Sequence, residues 1–200
     1  MTAPADKTAW RSRLRAARQA LPADRLAAAA AALRSGLLPR LAGLRAVAAY
    51  VPVGAEPGSL DLLDDLLANG TTVLLPVVLD AAELDWAEYA GRAELVAGAR
   101  GTRQPAGRTL GAAALASADL VLVPALGADH QGTRLGRGAG YYDRALARTP
   151  TEVPVAALLH DGELVPQLPR DPWDRQVTAI SSPALGWTEL PLVPHHVRWA

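Results

Sequence analysis

A chain of 200 residues, half of them apolar, is long enough for one substantial core and short for two, so a single domain spanning residues 1–200 is expected. Lysine and arginine together number 20 and so do aspartate and glutamate, with no block of like charge, which argues against a nucleic-acid-binding or membrane-surface protein. Cysteine is absent, which excludes disulfides, thiolate metal sites and a cysteine nucleophile. The N-terminus lacks the apolar core of a signal peptide, and no apolar run approaches the roughly 20 residues of a membrane span, so a cytoplasmic protein is expected.

Asp6 is placed to cap a helix whose apolar positions Trp10, Leu14, Ala17 and Leu21 follow helical spacing. Lys7 and Arg11 are four apart and share one face of it, where they either reach a common anion or form a solvated basic face with Arg15 and Arg18. Lys7 is the one lysine beside nineteen arginines. A compact ammonium suits a phosphate oxygen, which singles Lys7 out as a candidate. An alanine-rich helix follows over 22–38, opened by Pro22. The first strand, 46–53, leads into the loop Gly54-Ala55-Glu56-Pro57-Gly58-Ser59. In parallel α/β sheets ligands bind beyond the carboxyl ends of strands, so Glu56 is the candidate carboxylate there.

A helix over 60–68, stopped by Asn69-Gly70, and a buried strand over 72–78 complete a parallel crossover. Residues 84–89 read as a short edge strand in which Trp86 and Tyr89 are packing residues. Residues 95–108 read as an irregular loop.

The central stretch begins at Asp119. Leu120-Val121-Leu122-Val123, closed by Pro124, suits a strand buried on both faces. Beyond it, Gln131-Gly132-Thr133-Arg134-Leu135-Gly136-Arg137-Gly138-Ala139-Gly140-Tyr141-Tyr142-Asp143-Arg144 alternates glycines with other residues, carries three arginines and ends in two tyrosines and an acid. Glycines let backbone N–H groups converge on an anion, so the loop is a candidate phosphate cradle. It lacks the Lys-Ser/Thr pair of a Walker A loop and the spacing of a dinucleotide fingerprint. A helix from Tyr141 to Ala147, a strand over 153–159, the pair His160-Asp161 at the same sheet edge, and a last strand over 176–180 follow. The segment from Pro183, ending in His195-His196, is read as a tail without an assigned role. Two helices and then alternating strands and helices imply a three-layer α/β domain with a mainly parallel sheet.

The strand-and-loop string from Asp119 to Arg144 closely resembles the signature of the 5-formyltetrahydrofolate cyclo-ligase (methenyltetrahydrofolate synthetase) family, and the resemblance runs from Lys7 to about Ile180. It implies an αβα sandwich, Rossmann-like and similar to ribose-phosphate isomerase and CoA-transferase domains. It implies an ATP- and magnesium-dependent ligase acting on a reduced folate, expected as a monomer. Carried over to this chain, Lys7, Arg11, Arg134 and the Gly136, Arg137, Gly138, Ala139 and Gly140 backbone hold the ATP phosphates. Tyr141, Tyr142 and Arg144 line the same site, and Arg137 and Arg144 serve as phosphate or structural partners. Asp143 and Asp174 ligate magnesium, Glu56 (after Tyr50-Val51-Pro52) and Tyr142 face the folate, and Lys7, Arg134 and Tyr142 form the catalytic set. Gln104-Pro105 matches a further family element. The aromatic residue that some members place just ahead of it is missing, with Arg100 and Arg103 nearby instead, which leaves Tyr142 to supply part of the stacking surface. The residues alone also fit a sugar-phosphate isomerase or acyl-CoA transferase relative of the same fold, with Glu56 as base or nucleophile, or a non-catalytic nucleotide-binding module.

Overall fold

The computed structural model describes residues 6–79 and 83–192; the side chain of Arg100 and the pair His195-His196 lie outside the described residues. Helix α1 (Lys7–Gln19) is capped as expected, the Asp6 carboxylate accepting from the Ala9 N–H at 2.8 Å. Helix α2 (Ala23–Leu41) runs one turn further than the sequence suggests and holds Pro39 in that last turn. Ser59 caps α3 (Leu60–Ala68) through a bond from the Leu62 N–H. Helix α4 is Tyr141–Ala147. No helix among the described residues is long and apolar enough to cross a membrane.

The central sheet contains β1 (Ala46–Ala48), β2 (Thr72–Val78), β3 (Leu84–Glu88), β6 (Leu120–Pro124), β9 (Val155–Leu158), β11 (Ala179–Ser182) and β12 (Gly186–Glu189). Its seven strands run in the order β12-β11-β9-β6-β1-β2-β3. The five inner strands are parallel, and each edge is closed by an antiparallel strand, β3 on β2 and β12 on β11. The inner strands are apolar on both faces because both faces are covered. Leu120 and Leu122 point into a core shared with Leu33, Leu37 and Leu41 of α2 and Leu62, Leu63 and Leu66 of α3. Val121 and Val123 point into the opposite core, with Ala145 and Leu146 of α4 and the edge residue Trp86. At the entry to β1, the Asp119 carboxylate accepts from the Arg45 and Ala46 N–H groups at 2.7 and 3.0 Å.

A smaller sheet joins β7 (Gly127–Asp129), β8 (Arg134–Leu135) and β10 (Leu164–Val165) in the order β10-β7-β8. Helix α1 docks here: Trp10 and Leu14 pack with Leu126, Leu135, Val165 and Leu168 in a third, separate core. The first strand proves shorter than 46–53. After Ala48 only the Ala49 N–H still reaches β2, at Leu74 O, and the chain then turns into the Glu56 loop. Pro52, which has no N–H to give to a ladder, sits in that exit.

Two further expectations are corrected. Residues 95–108 are not irregular: β4 (Leu95–Ala97) and β5 (Arg103–Pro105) pair antiparallel, with Leu95 buried in the α2–α3 core. The last parallel strand is β11, not 176–180. The Val177 N–H goes to Gly132 O instead of a strand, and Ser181 and Ser182 are buried in its place. The segment beyond Pro183 then returns as β12 against it.

Candidate active site

A pocket of about 430 Å³ opens beyond the carboxyl ends of β1 and β6, lined among others by Tyr50, Glu56, Pro124, Arg134, Tyr142 and Asp143. The glycine loop forms one wall. Gly138 and Gly140 have φ of +100° and +73°, a region that side chains other than glycine enter at a cost. At Gly136 an added Cβ would stand 2.9 Å from the Arg134 guanidinium, so a side chain there would displace the end of that arginine. Arg11 fastens the loop from α1, its Nε donating to Gly136 O at 3.0 Å. The Arg144 guanidinium donates back to Ala139 O at 2.9 Å. A second groove, of about 350 Å³, runs along α1 past Thr8, Arg11 and Ser12, and it shares Arg15 and Arg137 with the main pocket.

Arg134 is the buried centre of the site. It donates to the Asp143 carboxylate and to Pro124 O, and its guanidinium carbon lies 5.9 Å from the centroid of the Tyr142 ring. Its Nε is buried with no hydrogen-bond partner among the described residues, and so is the hydroxyl of Tyr142. Burial pushes the Tyr142 phenol well above its ordinary value; Glu56 adds to that and Arg134 opposes it. The hydroxyl is a proton-bearing donor in the free protein. Tyr50 behaves differently, since its equally buried hydroxyl donates to Pro57 O at 2.6 Å.

Glu56 and the glycine loop, brought together in the sequence only by strand-end logic, touch directly. The Glu56 carboxylate is almost fully buried, accepts from the Val53 N–H at 2.9 Å, and pairs with Arg137 Nε at 3.1 Å. Lys7, in the first turn of α1, lines neither of the two cavities. Its ammonium binds Asp174 at 2.5 Å and Asp171 at 2.7 Å. Burial works against the charge on Lys7, but the two carboxylates prevail and hold its pKa above the ordinary 10.5. Asp174 is lowered below 3.8: burial opposes ionisation, while Lys7, the Asp171 N–H and Arg134 together outweigh it.

Asp143 and Asp174 thus both answer to Arg134, one by contact and one through its field. Asp143 is half-exposed toward the pocket and each acid has a protein cation beside it, while no group of three or more His, Cys, Asp or Glu capable of holding a metal occurs among the described residues. A magnesium ion takes one or two carboxylates and draws its remaining oxygens from water and phosphate, and by donor type the two acids suit that role.

Arg18, which one of the two readings of this helix face put in solvent, is buried. Its guanidinium grips Glu163 through Nε at 2.8 Å and Nη2 at 2.6 Å and donates to Ala125 O. The signal was in the sequence: Arg18 follows Trp10 and Leu14 at steps of four, on the buried stripe. His160 and Asp161 turn to different partners. Asp161 accepts from the Ala184 N–H, and His160 Nε2 lies 2.9 Å from Ala55 O. Near the missing aromatic, Arg103 lines the pocket with its Nη2 directed to Arg92 O at 3.2 Å, and Gln104 accepts from the Val78 N–H. Tyr141 packs against the α4-side core.

Comparison with known proteins bears on the whole of this arrangement. Residues 3–183 match the model of the 5-formyltetrahydrofolate cyclo-ligase family. The chain is 41% identical over 188 residues to the 5-formyltetrahydrofolate cyclo-ligase of Mycolicibacterium smegmatis, covering 92% of this chain and 96% of the relative. It is 29% identical over 160 residues to that of Escherichia coli K12, covering 78% and 88%. The NMR structure of 5,10-methenyltetrahydrofolate synthetase from Aquifex aeolicus superposes with a TM-score of 0.76 at 26% identity, covering 97% of this chain and 99% of that one. The 5,10-methenyltetrahydrofolate synthetase of Mycoplasma pneumoniae shares the fold at a TM-score of 0.72 and 22% identity, covering 89% and 99%. With the match reaching from before Lys7 to beyond Asp174, the chain belongs to the 5-formyltetrahydrofolate cyclo-ligase family.

Proposed function

We propose that this enzyme converts 5-formyltetrahydrofolate to 5,10-methenyltetrahydrofolate at the expense of ATP, with magnesium, releasing ADP and phosphate. The observation that carries the reading is the ion pair between Arg137 of the glycine loop and Glu56, which brings an anion cradle and a buried carboxylate to one pocket. Glu56 suits the N–H donors of a reduced pterin. Arg134, Arg11, Lys7 and the backbone of residues 136–140 suit a triphosphate lying along the groove on α1. The reaction transfers the γ-phosphoryl group to the formyl oxygen. N10 then attacks the formyl carbon and loses its proton, the carbon–oxygen bond to the phosphorylated oxygen breaks, and phosphate leaves as the ring closes.

No protein nucleophile enters this scheme. The chain aligns the two substrates and neutralises charge on the transferred group, as phosphoryl transfer requires. Arg134, already desolvated and fixed by Asp143 and Pro124 O, places positive charge there without reorganising. The Tyr142 hydroxyl offers a donor to a bound oxygen or nitrogen. Magnesium, held by Asp143 and Asp174, would supply charge neutralisation at the phosphate oxygens when bound.

The test is the absorbance of the methenyl product on mixing the protein with 5-formyltetrahydrofolate, ATP and magnesium. A rise that requires both ATP and magnesium is expected. Absence of product, together with ATP-independent turnover of a phosphosugar or an acyl-CoA, would reject the reading.

A further inference from the structure

The carboxylate central to this reading rides on a loop, residues 53–57, with no regular secondary structure. Three side chains from outside the loop hold its backbone. Tyr50 donates to Pro57 O at 2.6 Å, Arg137 Nη2 to Val53 O at 3.4 Å, and His160 Nε2 stands 2.9 Å from Ala55 O, the carbonyl adjoining Glu56. The Tyr50 bond is local in sequence and the Arg137 bond is long and exposed. His160 is 6% exposed and comes from the end of β9, two strands away from β1 in the sheet. A carbonyl only accepts, so Nε2 carries the hydrogen in this contact.

His160 is itself fixed. Its backbone N–H donates to Glu163 Oε2 at 2.8 Å, and the Glu163 N–H returns a bond to His160 O. Glu163 is locked in turn by the two-pronged contact from Arg18, whose guanidinium also holds Ala125 O at the end of β6. The imidazole therefore projects from a turn whose two ends, His160 and Glu163, are buried and hydrogen-bonded to each other, onto a pocket loop that has no strand ladder of its own.

We propose that His160 is a positioning residue for Glu56: its Nε2–H, anchored through the Glu163–Arg18 pair, sets where the 53–57 loop presents the Glu56 carboxylate to the folate. The inference rests on the reading of Glu56 as the folate-facing acid. His160 takes no proton from the substrate, and its ring and backbone bonds go to Ala55 and Glu163 and not to the residues assigned to the phosphates.

Steady-state kinetics of His160→Leu, His160→Asn, His160→Gln, Glu56→Gln and the double variant His160→Leu/Glu56→Gln test this, with thermal midpoints recorded for each. Losing one buried hydrogen bond on the loop should raise the KM for 5-formyltetrahydrofolate about tenfold in His160→Leu and move the KM for ATP less than about twofold. Glutamine extends an amide N–H to roughly the reach of Nε2 and should restore the folate KM to within about threefold, whereas the shorter asparagine should behave like leucine. In the Glu56→Gln background the His160→Leu effect should vanish, because the two residues act on one contact.

Equal rises in both KM values, a folate KM that stays normal in His160→Leu, or an undiminished effect without Glu56 would overturn the proposal. The glutamine–asparagine contrast decides it if the leucine variant does not fold. If Glu56→Gln leaves the folate KM unchanged, the assignment of Glu56 falls and the proposal with it. A Glu56→Gln defect with His160→Leu unaffected removes the proposal alone.

Discussion

Tyr142 carries a buried hydroxyl with no hydrogen-bond partner among the described residues, and the Arg134 Nε is in the same condition. An unsatisfied buried hydroxyl costs about 1–3 kcal/mol, a cost that a ligand able to accept or donate there removes. Tyr142→Phe should therefore stabilise the unliganded protein by about 1 kcal/mol, raising its thermal midpoint by about 2–4 °C, as calorimetry would show. The same variant should lose about tenfold or more in kcat/KM, so that stability and turnover move in opposite directions. A lower midpoint would mean that the hydroxyl has a partner after all. Residue identity at this site was legible, since the glycine string, the paired tyrosines and Glu56 all face one pocket. Pairing was not. Lys7 was singled out for a phosphate, and its partners in the free protein are Asp171 and Asp174, separated from it by 164 and 167 positions. No local pattern encodes such contacts.

At the scale of elements, α1 is the piece whose attachment matters most, since from a separate small core it brings Arg11, Arg15 and Arg18 to the two cavities and Lys7 to Asp171 and Asp174. Arg18→Ala would leave the Glu163 carboxylate buried without its cation, a loss of about 3–5 kcal/mol measurable by urea unfolding. Arg18→Met combined with Glu163→Gln should recover most of that. The other end of α1 is held by Lys7, whose pKa is raised, and by Asp174, whose pKa is lowered.

Asp174 contributes fully above its ordinary 3.8 and loses its contribution as pH falls through the folded value. Lys7 contributes fully below 10.5 and loses its contribution as pH rises through the folded value. The stability difference between the parent protein and Lys7→Met should then be flat from about pH 5 to about pH 9 and shrink only outside that window. A difference that varied inside the window would point to another titrating partner. Helices and parallel strands were readable because periodicity and apolar runs are local. The β4–β5 hairpin and β12 were not, because strands as short as Arg103–Pro105 and Gly186–Glu189 acquire their conformation from the strands they meet.

For the molecule as a whole, the sheet divides two cores, and the pocket lies at the end where β1, β6 and β9 release their loops. That much follows from strand order, and the α/β class with a mainly parallel sheet was legible from the alternation of elements. The antiparallel edges and the separate seat of α1 were not, since both depend on which surfaces remain uncovered once the inner strands are assembled. The seat of α1 also has a practical side. Within these 200 residues Lys7 is the one amine-bearing side chain, and it is kept as an ammonium between two carboxylates. An acylating reagent can react with it only once the ammonium leaves the two carboxylates and gives up its proton. Apart from the chain's terminal amino group, the labelling clock of the whole protein thus reports a single event, the parting of one pair of salt bridges.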